Sequence, residues 1–250
     1  MTVDAERYRA PQPGERPVQP QRRSVSLDAS GLQRAWLVAR REARADLREP
    51  DGLVAAVTFM AVLVLLESLV VGPDVARQST VAPALYWIAL LFAAIVTGTR
   101  SFDRELEDDA LDGVLALPGG ADALYAGKLL ALGATLAVVA AVGGLLLIVF
   151  LDLQIQLPAQ CALAALLGVL ALPPIVVLDI VLTLRLRARA ALVPILALPV
   201  LVPQLVAGTN AVSDALGGDA AGSLAWSGLL LAAGLAYAAV GLVLVPAAIE

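Results

Sequence analysis

Six carboxylates fall within ten residues: Asp103, Glu105, Glu107, Asp108, Asp109 and Asp112. Like charges at that density repel one another, so the run must stay solvated or face a basic surface. Phe102, Leu106, Ala110, Val114 and Leu117 recur among and beyond them at helical spacing, which predicts a short amphipathic helix. Pro118-Gly119-Gly120 breaks that pattern, and Asp122 is placed to cap a second helix carrying Lys128. One reading of this stretch is a mechanical contact for a basic partner; the other is a solvated loop. Gly127-Lys128 raises the question of a phosphate loop, but the positions that would need Gly and Ser or Thr hold Asp122 and Leu129, so nucleotide hydrolysis by that route is excluded. The chain has no histidine, which removes every zinc, triad or haem-ligand constellation built on imidazole. Cys161 is the one cysteine and cannot form an internal disulfide; it and Met60 read as apolar filler.

The elements that hold these residues follow from composition. Of the 250 residues, 60% are hydrophobic and 16% charged, against about 45–50% and 25% in an ordinary globular domain. The net charge of −5 opposes a nucleic-acid partner, which needs a basic footprint. Apolar runs of about 18 residues or more read as membrane-spanning helices, because about 20 residues cross a hydrocarbon core of roughly 30 Å. Six such runs are expected, over residues 52–71, 81–99, 129–151, 159–184, 190–208 and 225–249. Their connections are 72–80, 100–128, 152–158, 185–189 and 209–224. The fold class expected is all-α and integral to the membrane.

Residues 1–26 are rich in Pro, Gln and Arg and are expected to be a disordered arm, since they cannot bury enough surface to offset ordering entropy. No apolar stretch of a signal peptide follows their arginines, so the first span is expected to serve as an uncleaved anchor. Residues 27–49 then turn helical: Leu32, Trp36, Ala39, Ala43 and Leu47 form one apolar face, with Arg34, Arg40, Arg41, Arg44 and Arg48 around the rest. A helix with Trp36 on one side and Arg40, Arg41 and Arg44 on the other suits the headgroup plane of anionic lipid; a solvated helix on a soluble partner is the alternative. Residues 50–250 make up the membrane domain.

Basic residues segregate by side. Ten lie between Arg7 and Arg48, and Arg100, Arg104, Lys128, Arg185, Arg187 and Arg189 fall in connections on the same side, making 16 of 17; Arg77 is the exception. The positive-inside rule puts both termini and the 100–128 segment in the cytoplasm. Tyr86, Trp87 and Trp226 begin the second and sixth spans, where an aromatic belt at the outer interface is expected. Glu67 and Asp179 lie inside spans, where a carboxylate costs about 2.5–3.5 kcal/mol to insert; structural pairing and a proton or transport role both account for them. Pro173-Pro174, Pro194, Pro199 and Pro203 are expected to bend the fourth and fifth spans. No internal repeat supports an inverted-repeat secondary transporter.

The 100–128 segment resembles the haem exporter protein B (CcmB) family. The likeness is carried by Arg100-Ser101-Phe102, Glu105, the acidic run, Leu111-Asp112-Gly113, Leu117-Pro118 and Tyr125-Ala126-Gly127-Lys128-Leu129-Leu130, within a six-span layout preceded by an amphipathic helix. It extends over about residues 32–249 and departs at Asp109, where the pattern has Gly. The resemblance implies a permease of the ABC-2 type, in a prokaryotic plasma (inner) membrane, itself non-catalytic and paired with a separate ABC ATPase. It also implies a second haem-handling membrane subunit and a haem chaperone, in the supply of haem to c-type cytochromes. A homodimer is compatible with it. Within it the 100–128 helix is the coupling element, with Phe102, Glu105, Asp108 and Leu111 as partner contacts, and residues 32–49 form the interfacial elbow. No tightly bound cofactor is expected, with haem as the transported or transferred species. An ABC-2 exporter of another lipid or drug, and a non-transporting assembly scaffold, are the alternatives.

Overall fold

A computed structural model describes residues 29–48, 50–71, 81–107, 120–183 and 189–249. Seven helices account for nearly all of them: α1 (Ala29–Arg48), α2 (Asp51–Val71), α3 (Val81–Glu107), α4 (Gly120–Leu151), α5 (Pro158–Thr183), α6 (Arg189–Gly217) and α7 (Ala220–Ile249). No strand occurs among the described residues. Five of these helices, α3 to α7, are long and apolar enough to cross a membrane, and a bent pair formed by α1 and α2 brings the number to as many as six. An all-helical membrane fold is what hydrocarbon allows, since a helix satisfies its backbone hydrogen bonds within itself.

α3 packs as closely on α6 as on its own neighbours α2 and α4. α5, α6 and α7 pack on one another, and α2, α3 and α4 do the same, with α3 and α4 also set against α5. The helices are apolar on more than one side, so Leu145, Val149, Leu170 and Val243 remain exposed; in a lipid environment that surface faces acyl chains.

Small residues set how closely helices approach. Trp87 is buried, 1% exposed, and its indole occupies the space that side chains at Gly168 of α5 and Gly208 of α6 would need. Met60 of α2 fits against Gly143 of α4, where a Cβ would meet its sulfur at 2.8 Å. The expected outer belt is therefore corrected at two of its three members. Trp87 and Tyr86 both turn inward, the Tyr86 hydroxyl donating to the Ala140 carbonyl at 3.2 Å. Two glycines on different helices leave a slot that the indole fills with dispersion contacts, and no hydropathy pattern records such a slot.

Three expected boundaries also shift. α3 runs on to Glu107, so the first turns of the 100–128 segment continue the span without a break. α4 starts at Gly120, with Asp122 in its first turn. The connection expected over 209–224 is almost wholly helical, because α6 reaches Gly217 and α7 begins at Ala220. Ala211 and Ala215 are fully buried and Ser213 nearly so, so packing holds a stretch whose polarity reads as loop. Gly218, at φ 84°, makes the left-handed turn that ends α6. The Asp219 amide donates to the Asp214 carbonyl at 2.8 Å, while the Asp219 carboxylate accepts from the amides of Ala221 and Gly222 and caps α7. The prolines leave helical assignment intact: α5 continues through Pro173 and Pro174.

Candidate functional site

The residues that bracket the acidic run converge at the end of the bundle where α3 leaves and α4 returns. Glu42 and Asp46 sit one turn apart on α1 and so share a face. That face also carries Ala35 and Ala39, both buried, and it packs along α4. Gly127 makes the approach possible, since a Cβ there would stand 2.5 Å from Val38 Cβ and 3.0 Å from the Ala35 carbonyl oxygen.

Lys128 follows immediately, and its side chain is 2% exposed. Its ammonium donates to Glu42 Oε1 at 2.9 Å, to Ser101 Oγ at 2.8 Å and to the Ser101 carbonyl at 3.0 Å. All three protons of the amine are thereby used. The Ser101 hydroxyl in turn donates a hydrogen bond to Glu42 Oε2 at 2.9 Å, and the Phe102 ring lies under the ammonium at 5.0 Å from the centroid, within cation–π range. Beside this core, Arg104 Nη2 donates to Asp46 Oδ1 at 2.7 Å and reaches Glu42 Oε2 at 3.6 Å, while Thr135 Oγ1 approaches Asp46 Oδ2 at 3.4 Å. Three helices are held together by one network.

The two halves of that network differ in strength. Glu42 and Lys128 are shielded from water, so separating them or deleting one would strand a buried charge, a cost of about 3–5 kcal/mol. Arg104 and Asp46 are 33% and 27% exposed, and such pairs contribute about 0–1 kcal/mol. A cleft of about 320 Å³ opens next to them between α1, α2, α3 and α4; Asp46, Asp51, Arg100, Arg104 and Thr135 line it. Among the described residues no cluster of three or more potential metal ligands occurs.

The expected site residues are distributed unevenly around this point. Phe102 is 2% exposed, and its ring packs beneath Lys128. Glu105 lies on the last turn of α3, but its side chain is outside the described residues, as are Asp108 and Leu111 altogether. Trp36, Arg40, Arg41 and Arg44 are all exposed on α1. The side of α1 turned outward carries Leu32, Trp36 and Leu37, whereas Ala39 belongs to the side packed on α4; the apolar face read from spacing is thus shared between two neighbours. Glu67 lies on α2 with its side chain outside the described residues. Asp179 lies on α5, half-buried, and its Oδ2 has no hydrogen-bond partner among the described residues.

Glu42 is not among the residues expected at the site, and Lys128 is expected only as part of the 100–128 connection. The signal was present: Glu42 and Asp46 form a carboxylate pair at helical spacing within an otherwise basic helix, one turn beyond the small residues Ala35 and Ala39. Two of the motifs that carry the family resemblance, at residues 100–102 and 125–130, gain a structural role here. Ser101, Phe102 and Lys128 form the network, Gly127 admits α1, and the Tyr125 hydroxyl donates to the Ala238 carbonyl of α7 at 3.4 Å.

The chain is similar to known proteins over most of its length. The family model described as CcmB protein matches residues 33–250. The chain is 31% identical over 206 residues to Heme exporter protein B of Pseudomonas aeruginosa, covering 80% of this chain and 90% of that protein. It is 34% identical over 178 residues to the Heme exporter protein B of Bradyrhizobium diazoefficiens, covering 69% and 78%, and 32% identical over 205 residues to that of Paracoccus denitrificans, covering 79% and 91%.

Proposed function

The chain belongs to the CcmB family, and from that premise we propose that it is the permease subunit of an ABC transporter that exports or delivers haem for c-type cytochrome biogenesis. The names of its relatives favour haem over another lipid or drug as the species handled. ATP hydrolysis belongs to a separate ATPase chain, which docks against the segment between α3 and α4. A second haem-handling membrane subunit and a haem chaperone complete the assembly. Both termini lie in the cytoplasm of a multi-pass inner-membrane protein, an orientation supported by 16 of 17 basic residues lying on one side.

One observation carries the coupling part of this reading. The acidic segment issues from α3 and re-enters α4 at a base closed by Lys128, Ser101 and Glu42, so a push on the segment is passed to two spans at once. A loop with a slack base would absorb the same push by bending. With no histidine in the chain, the commonest haem iron ligand is lacking, and the subunit acts mechanically, converting nucleotide-driven movement into haem transfer or release of the chaperone.

The test is charge reversal of Glu105, Glu107 and Asp108 together, followed by gentle solubilisation. Loss of the co-purified ATPase from a normally inserted chain supports the coupling assignment; unchanged co-purification refutes it.

A further inference from the structure

We infer that α1 is part of the coupling element, and that Glu42 is the positioning residue that joins it to the base of the acidic segment through Lys128. This rests on the coupling role proposed above and extends it to a helix that the segment itself does not include.

The packing of α1 is the first reason. Only residues 49 and 50 separate it from α2, and the two meet at 71°, yet α1 lies mainly along α4 and only marginally on α2. It therefore rides with the helices that bracket the segment. The second reason is the kind of contact chosen. Lys128 is saturated by Glu42 and by both oxygens of Ser101, a directional joint inside an otherwise apolar contact. An apolar face alone would let α1 slide; the bonds from Lys128 of α4 and Ser101 of α3 to the two carboxylate oxygens of Glu42, each at 2.9 Å, hold its register. Gly127 adds a steric stop, with Val38 seated where its side chain would be. The third reason is what α1 presents on its other side. Leu32, Trp36 and Leu37 are exposed there, and Arg40, Arg41 and Arg44 are exposed along the helix, a combination that holds to a headgroup layer. α1 thus ties the base of the acidic segment to the membrane surface. A push from below then displaces α3 and α4 against that anchor and cannot simply tilt the segment.

The experiment measures haem delivery, as c-type cytochrome formed, per ATP hydrolysed by the assembled complex. Glu42→Lys and Lys128→Glu, each alone, are expected to keep the ATPase bound and hydrolysing while delivery per ATP falls by about tenfold. The double exchange of both residues is expected to recover at least about threefold over either single variant. A merely structural role would lower delivery and hydrolysis together, in step with the amount of inserted chain, and that result overturns the inference. So do single variants with normal delivery per ATP, or a double exchange that assembles but recovers nothing. Should the single variants fail to insert, Gly127→Val provides the same displacement of α1 without a change of charge, and Val38→Ala in the same chain should relieve it; absence of uncoupling, or of relief, again overturns the inference. Failure of the wild-type chain to bind any ATPase would instead bring down the coupling reading, and this inference with it.

Discussion

Gly127 and Val38 share a space that one side chain fills: a Cβ on Gly127 would stand 2.5 Å from Val38 Cβ. α1 reaches Lys128 only because residue 127 has no side chain. The glycine acts through its absent volume, and its effect is felt one residue later, where the Glu42–Lys128 contact closes at 2.9 Å.

Gly127→Val should therefore displace α1, at a cost in the range of about 1–3 kcal/mol for an overpacked contact. A cysteine placed at Ala39, buried in the native chain, reports the displacement once Cys161 is replaced by alanine. Maleimide labelling of that cysteine should be slow in the parent, fast in the Gly127→Val chain, and slow again when Val38→Ala is added.

Lys128→Met should destabilise the chain by about 3–5 kcal/mol, because it leaves the Glu42 carboxylate buried without its counter-charge. Replacing both residues by methionine should cost far less, since burying an ion pair is itself expensive. Arg104→Ala should cost no more than about 1 kcal/mol, given the exposure of its pair with Asp46. Thermal unfolding of the solubilised protein ranks the three, and a Lys128→Met chain as stable as the double variant would contradict the structure.

Single-tryptophan variants should separate the three indoles. Trp36 is 62% exposed and Trp87 1% exposed, while Trp226 is partly buried against the core. Spin-labelled headgroup lipids should quench Trp36 strongly and Trp87 hardly at all. Efficient quenching of Trp87 would mean that it stands in the interfacial belt after all.

Gly168→Ala and Gly208→Ala should each force the Trp87 ring to move, because both Cβ positions fall on the indole. Adding Trp87→Leu should rescue part of the loss in each case, a coupling that residues far apart would not show. By contrast, Tyr125→Phe should cost no more than about 1 kcal/mol, since it removes one long hydrogen bond of 3.4 Å to Ala238. Unfolding temperatures of the single and double variants decide both comparisons.

Asp219→Ala should cost about 1 kcal/mol through loss of the cap on α7, and Gly218→Ala a comparable amount through its φ of 84°. Both substitutions lie at the joint of α6 and α7, on a different connection from the Lys128 network, so hydrogen exchange should quicken at that joint while α1 keeps its protection.

The long apolar helices and the basic helix ahead of them were legible along the chain because each depends on local properties. Twenty apolar residues satisfy their own backbone and partition into lipid whatever their neighbours are, and a basic face shows itself at helical spacing. The membership of Ser101, Phe102, Gly127 and Lys128 in one motif was legible too, but their purpose was not. Which helix α1 would rest on, that Glu42 would meet a lysine 86 residues away, that Trp87 would enter a slot between two glycines and that α6 would stay helical to Gly217 were decided by tertiary structure alone. In a bundle whose helices are apolar on many sides, hydropathy states that a face is buried or lipid-facing without naming its neighbour. That choice falls to shape and to the few buried charges, and both take effect only when distant segments come within contact range.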